Sequence, residues 1–450
     1  MARGFAVAAG SEAAAEAAAE ALRSDGGAVD AAIAGGLAAC AGEPALAGLF
    51  GGGFLMVREP GGRRRLLDFF VQTPSVRPRE ADADLREIKA DFGAATQAFH
   101  IGAGAVATPG VGPGLAEAHA RYGRLPMADL AAPAIALAAQ GVALEPFQAK
   151  VLGIIAPIYT ATPEARATFL GGGDRAPEAG FLYRNPALAD VLDAFATEGP
   201  RFLTEGEPAA ALAALCADGG AVTRAETGAY APVWREPETV SRGAARLALN
   251  PPPATGGALI AFALALLDRD PAPEAVARAF ALTARAREAV GIDDDPAGGA
   301  LRLAAPDLAA RFRREMAGRP EAFRGTTHVS ALDEDGLGAA LSLSNGEGCG
   351  LVVPGTGIMP NNMLGETDLV PAPGRWRPGV RLSSMMAPTA LEWPDGRVTM
   401  LGTGGSNRIR TAMTQVLLAL ADGGLRLEEA IARPRLHVEG VREPALDFED

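Results

Sequence analysis

Gly325 and Thr326 are the residues best suited to chemistry, because a charged, helical segment ending in Phe-Arg-Gly changes there into an alternating, strand-like one. Gly325 has no Cβ, so the Thr326 hydroxyl can approach the peptide bond between the two residues at low steric cost. An N-to-O acyl shift and hydrolysis would then free the α-amino group of Thr326. The pattern predicts self-cleavage between residues 325 and 326.

A freed Thr326 would combine a nucleophile and a base on one residue. An α-amino group titrates near ~8, so a useful fraction is unprotonated at neutral pH and can accept the hydroxyl proton. The β-branched side chain restricts χ1 and keeps the hydroxyl aimed in one direction. Thr326 therefore needs no His or Asp partner. By themselves, however, the letters Gly-Thr-Thr-His are far more typical of an ordinary strand that starts after a loop.

The motifs that accompany Thr326 make it a candidate nucleophile. From Thr326 onward the chain carries, in order, TTHVSALDEDG (326–336), SLSNGEGCGLVVPGTGIMPNNMLGE (342–366), RLSSMMAPT (381–389) and LGTGGSNRIRT (401–411). The earlier part of the chain adds GGAVDAAIA (26–34), GGGF (51–54), ATPGVGPG (107–114), LAAPAIALAAQG (130–141), WREPE (234–238) and NPPPATGG (250–257). No single motif is specific, but the ordered set is. Over nearly the whole chain it resembles the γ-glutamyltranspeptidases and the related acylases.

The resemblance implies both a fold and a reaction. The implied fold is α+β, a four-layer αββα sandwich of the N-terminal nucleophile hydrolase type, in which a large-subunit segment (1–325) and a small-subunit segment (326–450) form one domain. The implied reaction is hydrolysis or acyl transfer of a γ-glutamyl-like or related acyl amide through a threonine acyl-enzyme, without a cofactor or a metal. Expected partners are a small-molecule amide, such as a glutathione-like peptide, and the chain's own cleaved fragment in a heterodimer.

The resemblance also implies catalytic roles at the positions that match the family motifs. Thr326 matches the nucleophile, and Ser344 stands where the family usually has a second threonine whose hydroxyl bonds the nucleophile. Gly404 and Gly405 match the glycine pair whose backbone N–H groups form the oxyanion hole, a task that suits residues without a side chain. The alternative for this glycine run is a phosphate-binding loop, but the run lacks the Gly-Lys-Ser/Thr ending of a P-loop.

Substrate-binding residues are implied in the same way. Ser383 and Ser384 match the serine pair that holds a substrate carboxylate, although paired serines alone are more typical of a surface strand end. Asn345 and Asn362 lie in the two turns expected to line the pocket. Glu366 stands where an aspartate usually binds the α-amino group of the substrate.

Phe70 is the departure from the family that matters most for specificity. In the segment LLDFFVQTP the family has an arginine that binds the glutamyl α-carboxylate, whereas this chain has Phe70 and no arginine between Arg65 and Arg77. A phenyl ring cannot replace a bidentate guanidinium contact. Met363 also replaces a polar residue of the pocket. We therefore expect an acyl group with a different α-carboxylate or none. A β-lactam or glutaryl acylase and an unprocessed, inactive binding homologue stay open as alternatives.

Composition narrows the classes of partner. The 450 residues carry a net charge of −13, with 54 acidic against 41 basic residues, which argues against nucleic-acid binding because phosphates require a basic surface. Three cysteines form no Cys-x-x-Cys pair, so neither a disulfide framework nor a zinc site is indicated. The chain has no apolar run of about 18 residues and no signal-like start, so we expect no membrane span and a cytoplasmic protein. Its end at Asp450 is expected to come earlier than in the family pattern.

The first 318 residues are predicted to be mainly helical, with one glycine-rich hairpin. Ser11 is a suitable N-cap, and dense alanine favours the helix that follows it. The predicted elements are, in order, a helix over 11–23, a buried helix over 28–41, a hairpin that turns at 61–62 and ends with a strand over 65–70, a strand, turn and helix over 105–126, a helix over 130–141, and mostly helices from 145 to about 318.

Strand signals concentrate after Thr326. Apolar and polar residues alternate there with a period of two, and short turn signals separate the runs. The predicted elements are strands over 327–333 and 339–344, a turn-rich stretch to about 377, strand-like runs over 382–393 and 398–402, and a last helix after the glycine run at 402–405. These strands must position Thr326 against the glycine pair.

Overall fold

The computed structural model describes residues 4–91, 96–312, 326–370, 372–439 and 445–448. Gly325 therefore lies outside the described residues. The helices are α1 (Glu12–Arg23), α2 (Ala28–Gly42), α3 (Val111–Tyr122), α4 (Met127–Gln140), α5 (Pro146–Ile154), α6 (Ala156–Tyr159), α7 (Pro163–Phe169), α8 (Pro186–Glu198), α9 (Pro200–Glu205), α10 (Glu207–Leu215), α11 (Arg224–Ala229), α12 (Gly256–Leu266), α13 (Pro273–Ala289), α14 (Pro296–Leu303), α15 (Pro306–Phe312), α16 (Arg408–Ala421) and α17 (Leu427–Ala432).

The strands cluster at the start of the chain, around residues 233–249 and after Thr326. They are β1 (Ala6–Ala9), β2 (Gly52–Arg58), β3 (Arg64–Phe69), β4 (Arg86–Asp91), β5 (Thr96–Ile101), β6 (Val142–Ala143), β7 (Leu182–Tyr183), β8 (Val233–Arg235), β9 (Glu238–Arg242), β10 (Ala245–Leu249), β11 (Thr327–Leu332), β12 (Gly338–Ser344), β13 (Thr389–Glu392), β14 (Val398–Leu401), β15 (Leu436–Glu439) and β16 (Ala445–Phe448).

The chain divides into two compact units that cut across the predicted subunit segments. The first unit consists of Met1–Arg63, Leu67–Trp234 and Gly325–Leu382, and the second of Arg64–Leu66, Arg235–Arg324 and Ser383–Asp450. Each predicted segment thus contributes residues to both units. The division into segments 1–325 and 326–450 stays a prediction.

A six-stranded sheet, with strand order β1-β11-β12-β2-β3-β8, carries the start of the predicted small-subunit segment. β11 pairs antiparallel with β1 and β12, and β12 pairs antiparallel with β2. All of β12 is buried, as its run of apolar and small residues requires. Gly53 of β2 allows the close packing here, because a Cβ at this position would lie 2.7 Å from Leu343 Cδ2 and 2.7 Å from Phe69 Cε2. The predicted hairpin and both strands after Thr326 are confirmed.

Two helices pack beside this sheet and confirm the first two helix predictions. Ser11 caps α1, because its hydroxyl accepts a hydrogen bond from the Ala14 N–H at 3.3 Å. Every residue of α2 is buried. Gly35 of α2 allows close approach, since a Cβ there would lie 3.0 Å from Ala14 O and 3.0 Å from Val329 Cγ1 of β11. Small residues therefore bring α1, α2 and β11 together.

The strand predicted at the start of 105–126 is wrong. Only an isolated bridge joins Thr108 to Gln72, and α3 begins soon afterwards at Val111. Pro109 has no N–H to donate to a strand ladder, so the segment cannot continue as a paired strand. The helix predicted over 130–141 is present but begins earlier, as α4 from Met127.

The second unit contains a four-stranded sheet with strand order β14-β13-β10-β9. Its neighbouring strands pair antiparallel. Arg242 of β9 links this sheet to two helices. Its Nε donates to Asp422 Oδ2 at the end of α16 at 2.8 Å, and its Nη1 donates to Leu264 O of α12 at 2.8 Å. Asp422 is almost fully buried, so this ion pair is shielded from water. The helix predicted after the glycine run is confirmed as α16.

Two predictions for the second unit are wrong. The strand-like run over 382–393 forms a strand only in β13, because the Ser384 carbonyl instead accepts hydrogen bonds from the N–H groups of Thr255 (2.9 Å) and Gly256 (3.2 Å) at the start of α12. The helix α16 is not the last element, because α17 and the β15–β16 hairpin follow it. These late elements have only six and four residues each, too few to display a period.

Several simple features are settled by the described residues. None of their helices combines the length and apolar character needed to cross a membrane. Among the same residues, no three His, Cys, Asp or Glu side chains are grouped to hold a metal ion. Cys40, Cys216 and Cys349 are buried and carry free thiols. Burial raises the pKa of each thiol to about 12, so none of them is a thiolate at neutral pH.

His328 links β11 to β12 through its side chain. Its Nδ1 lies 2.8 Å from Ser342 Oγ on the facing strand, and its Nε2 lies 2.9 Å from Ser330 Oγ on its own strand. Burial lowers the pKa of His328 to about 3 from the ordinary value of 6.5. The imidazole is therefore neutral in the folded protein at neutral pH.

We expect His328 to weaken the fold in acid. As the pH falls below about 6.5, the unfolded imidazole binds a proton while the folded one does not, so the free energy of unfolding should decrease until about pH 3. His328→Gln keeps a polar side chain but removes this proton uptake, so its decrease should be smaller. Urea unfolding of both proteins at about pH 7, 5 and 4 measures the difference. The same pH dependence in both proteins would contradict the assignment.

Candidate active site

Thr326 directly precedes β11 and is half-buried. In the antiparallel pair, Thr327 lies opposite Leu343 and His328 lies opposite Ser342. Continuing this register by one residue puts Thr326 opposite Ser344, the last residue of β12. Side chains that face each other in this way have Cβ atoms about 4.5–5.5 Å apart. The strand pairing therefore brings the predicted nucleophile and the predicted supporting hydroxyl within reach of each other.

Ser344 is nearly buried and is held by its own turn. Its Oγ accepts a hydrogen bond from the Gly346 N–H at 3.0 Å, and the residue pairs with Gly52 of β2 on the other side. A hydroxyl that accepts one hydrogen bond can still donate its own proton and accept another. Ser344 is thus able to bond a neighbouring threonine hydroxyl.

Asn345, Asn362 and Glu366 converge on the turn after β12. Gly346 has a φ of +61°, and a Cβ there would collide with Asn362 Oδ1 and Glu366 Oε1. Asn345 Nδ2 donates to Met359 O at 3.0 Å, and Asn362 Oδ1 accepts from the Glu347 N–H at 2.9 Å. The structure therefore brings the three predicted pocket residues together beside Ser344.

Two polar side-chain atoms of this turn lack a hydrogen-bond partner among the described residues. Asn345 Oδ1 and Asn362 Nδ2 are buried, and neither forms a hydrogen bond with a residue in the described part of the chain. Buried polar atoms are nearly always paired, so an acceptor and a donor left without partners suit a polar ligand.

Ser383 and Ser384 lie in the second unit, against the start of α12. The hydroxyls of Ser383 and Thr255 hydrogen-bond each other at 3.2 Å, and Ser384 Oγ accepts from the Met386 N–H at 3.1 Å. The Ser384 side chain is buried, and Ser383 is half-buried. Sequence reasoning missed Thr255 as a partner of the serine pair, although it belongs to the NPPPATGG motif (250–257) that was noted.

Gly404 and Gly405 form the loop between β14 and α16, also in the second unit. Gly405 has a φ of +119° and the following Ser406 a φ of +47°, so both have positive φ, which is uncommon for a residue with a side chain such as Ser406. The Gly405 carbonyl accepts from the Arg408 N–H at 2.9 Å, which starts α16. No described residue accepts a hydrogen bond from the N–H of Gly404 or Gly405. These donors are free to bind an oxyanion.

Phe70, which stands in place of the family arginine, is fully buried. Its ring stacks on Phe54 with centroids 5.4 Å apart. Its carbonyl accepts a hydrogen bond from the Tyr230 hydroxyl at 2.7 Å and another from Arg381. An apolar ring therefore occupies the position from which a guanidinium would bind a carboxylate.

Arg381 does not replace the missing arginine. Its Nη1 donates to Phe70 O and to the Tyr230 hydroxyl, and its Nη2 donates to Ala231 O at 2.6 Å. Its Nε lies 3.7 Å from Asp68 Oδ1, and its Cζ lies 4.5 Å from the centre of the Tyr230 ring. Most of its N–H donors thus form hydrogen bonds within the protein, including one to Phe70, the residue that follows β3.

The predicted residues fall into two groups. The first unit holds Thr326, Ser344, Asn345, Asn362 and Glu366, and the second holds Ser383, Ser384, Gly404 and Gly405. Within the first unit, the strand register and the turn contacts bring the predicted neighbours together. In the second unit, the serine pair lies against the start of α12 and the glycine pair lies in the loop before α16. The scissile bond itself includes Gly325, which lies outside the described residues. The individual roles of these residues stay predictions.

Known proteins similar to this chain align with most of its length. The sequence model of the Gamma-glutamyltranspeptidase family matches residues 14–447. The Acylase ACY 1 proenzyme of Pseudomonas sp. (strain V22) is 31% identical over 94% of this chain and 80% of its own length. The Glutathione hydrolase proenzyme of Pseudomonas aeruginosa is 30% identical over 96% of this chain and 83% of its own length.

The fold similarity extends over the whole chain. The crystal structure of cephalosporin acylase from Bacillus halodurans superposes with a TM-score of 0.81 at 26% identity and covers 97% of this chain and 83% of its own. This likeness confirms the predicted fold class, the α+β fold of N-terminal nucleophile hydrolases. Together with the matched family motifs, it makes the protein an amidohydrolase or acyltransferase. The chain belongs to the γ-glutamyltranspeptidase family.

Proposed function

We propose that the protein cleaves itself before Thr326 and then uses Thr326 to transfer the acyl group of a small amide. The observation that carries the proposal is the position of Thr326 directly before β11, where the register of β11 and β12, continued by one residue, puts it opposite Ser344. A residue at the start of a paired strand is held by the sheet, yet its own amino group can be freed by cleavage of the preceding bond. The two fragments would then stay together as a heterodimer.

Self-cleavage begins when the Thr326 hydroxyl attacks the carbonyl carbon of residue 325. The C–N bond breaks, the nitrogen of Thr326 takes the proton, and an ester joins residue 325 to the threonine oxygen. Water hydrolyses this ester, leaving a carboxylate on residue 325 and a free α-amino group on Thr326. That amine then serves as the base in turnover.

Turnover uses the same atoms on an external amide. The α-amine accepts the hydroxyl proton of Thr326 as its oxygen attacks the substrate carbonyl, and Ser344 orients that hydroxyl. The N–H groups of Gly404 and Gly405 stabilise the oxyanion. Collapse passes the proton to the departing amine and leaves an ester on Thr326. Water or a second amine then takes the acyl group.

The comparisons do not select the acyl group, because a relative named as an acylase and one named as a glutathione hydrolase match at 31% and 30% identity. Phe70 favours the acylase side, since it removes the strongest contact for an α-carboxylate. Glu366, the two asparagines and the serine pair still supply polar contacts. Amides of short dicarboxylic or amino-substituted acyl chains fit these groups.

The working compartment is a further part of the proposal. All three cysteines are buried as free thiols. Proteins of oxidising compartments tend to use their cysteines in disulfides. We therefore keep the cytoplasm as the proposed location.

Thr326→Ala should abolish self-cleavage, because it removes the attacking oxygen. Intact mass measurement of freshly purified protein should show the two fragments 1–325 and 326–450 for the wild type and one whole chain for the variant. Thr326→Ser, which keeps a hydroxyl, is the matched control and should still be cleaved. Cleavage of Thr326→Ala would mean that the scissile bond is elsewhere.

Gly405→Ala should lower kcat by roughly 10²–10³, with a smaller effect on KM, because loss of an oxyanion donor acts on the transition state. A φ of +119° is strained for alanine, so the N–H would move. Gly424→Ala is the control for alanine at a positive φ, because Gly424 has a φ of +61° and follows α16, away from the glycine loop. The rates are measured per cleaved chain. An equal loss of kcat in both variants would point to strain alone.

Three anilides should separate the two kinds of acyl specificity. γ-Glutamyl anilide carries an amine and a carboxylate, 4-aminobutanoyl anilide lacks the carboxylate, and glutaryl anilide lacks the amine. Because Phe70 offers the carboxylate no cation, kcat/KM for the 4-aminobutanoyl substrate should be within about tenfold of that for the γ-glutamyl one, less than a lost charged hydrogen bond usually costs. If γ-glutamyl anilide were the only one of the three to be hydrolysed, the protein would still bind this carboxylate.

A further inference from the structure

Glu43 is a fully buried carboxyl group to which the reaction described above gives no part. It caps the C-terminal end of α2, and its side chain is 0% exposed. The Ser11 hydroxyl donates a hydrogen bond of 2.6 Å to Glu43 Oε1. Burial of a carboxyl group in this way is costly unless its oxygens are used. Only one of the two oxygens is accounted for by Ser11.

The other oxygen of Glu43 faces the residue next to the nucleophile. A Cβ built on Gly10 would lie 2.7 Å from Thr327 Oγ1 and 3.4 Å from Glu43 Oε2, so both atoms border the same small space. Neither atom completes a well-aligned hydrogen bond with another described residue. A hydroxyl and a carboxyl oxygen that share one buried space are each other's natural partners.

The sheet geometry transmits this contact to Thr326. Thr327 begins β11, and successive side chains of a strand point to opposite faces. Val329, two residues on, lies against Gly35 of α2, so Thr327 projects toward the helices. Thr326 therefore projects toward the other face, and the peptide between the two residues fixes its direction. Whatever holds Thr327 also holds Thr326.

We propose that Glu43, supported by Ser11, is a positioning residue for the nucleophile. It holds the Thr327 hydroxyl from the helix side and so aims the Thr326 hydroxyl, both in self-cleavage and in turnover. The inference rests on the proposed function of Thr326. It adds a buried anchor on the helix side of the sheet, away from the substrate-binding groups.

The surroundings of Glu43 favour its neutral, hydrogen-bonding form. Burial raises the pKa of Glu43 above its ordinary value, the hydroxyls of Ser11 and Thr327 oppose that rise, and the negative charge of Glu145 adds to it. Cys40 of α2 stays a thiol, because burial raises its pKa to about 12. A neutral carboxyl can donate to Thr327 while it accepts from Ser11, and a glutamine amide can do the same.

The test compares variants of the full chain for the rate of self-cleavage and for kcat and KM. Thr327→Val keeps the shape of the side chain but removes its hydroxyl, and it should slow self-cleavage and lower kcat at least tenfold with KM within twofold. Glu43→Leu should do the same, whereas Glu43→Gln should stay within about threefold of the wild type. Because both changes break one contact, the double variant Glu43→Leu/Thr327→Val should be no slower than the slower single variant.

Thr227→Val is the matched control. Thr227 lies in α11 of the same unit, and its buried hydroxyl donates to Thr204 O at 2.7 Å. Removing this hydroxyl should lower stability without changing the cleavage rate or kcat. If Glu43→Leu does not fold, the pair Thr327→Val and Glu43→Gln still decides the question. The inference would be overturned if Thr327→Val cleaved itself and turned over at wild-type rates. It would also be overturned if Glu43→Gln were as slow as Thr327→Val.

Failure of the proposed function gives a different result. A wild-type chain that remains whole, or a Thr326→Ala variant that is still cleaved, would remove the nucleophile and the anchor together. Normal maturation of the wild type, combined with unaffected Thr327→Val, would remove only the anchor.

Discussion

The antiparallel register between β11 and β12 is the constraint on which the rest of the site depends. It determines that Thr326 meets Ser344, and a slip of one residue would turn Thr326 and His328 to the opposite face. β12 is buried along its whole length between β11 and β2, so a slip would also misplace its apolar side chains. Close packing at Gly53 also favours this register, because a residue with a side chain at that position would collide with Leu343 and Phe69. Apolar residues and glycines of the sheet therefore determine the position of Thr326.

The polar atoms of the site are costly in the free protein and useful to a ligand. Asn345 Oδ1 and Asn362 Nδ2 are buried without a partner among the described residues, and each such atom costs about 1–3 kcal/mol. A substrate that supplies a donor to one and an acceptor to the other would recover part of that free energy on binding. In the proposed reaction the N–H groups of Gly404 and Gly405 would act on the same principle, since donors kept ready in advance need no reorganisation when an oxyanion forms.

Reaction class and substrate class are separable in this family, and the structure explains why. The proposed nucleophile, its supporting hydroxyl and the glycine pair are small residues or backbone groups, so the proposed reaction does not depend on the long side chains of the pocket. Specificity depends on individual long side chains. Phe70 is packed on Phe54, and Arg381 donates to Phe70, Tyr230 and Ala231, so Arg381 does not supply the missing carboxylate contact.

The sequence by itself determined the order of motifs, the candidate nucleophile with its supporting residues, the helices α1, α2 and α16, and the strands around Thr326. These features are local, because a cap, a period or a short motif is complete within some ten residues. Tertiary structure alone decided that Thr255 holds Ser383, that the Ser384 carbonyl caps α12 and prevents a longer strand, and that Glu43 bonds Ser11 and borders the same small space as Thr327. Those partners are separated by between about 30 and 300 residues, and no local pattern encodes a contact that exists only when the packed helices and sheets bring distant segments together.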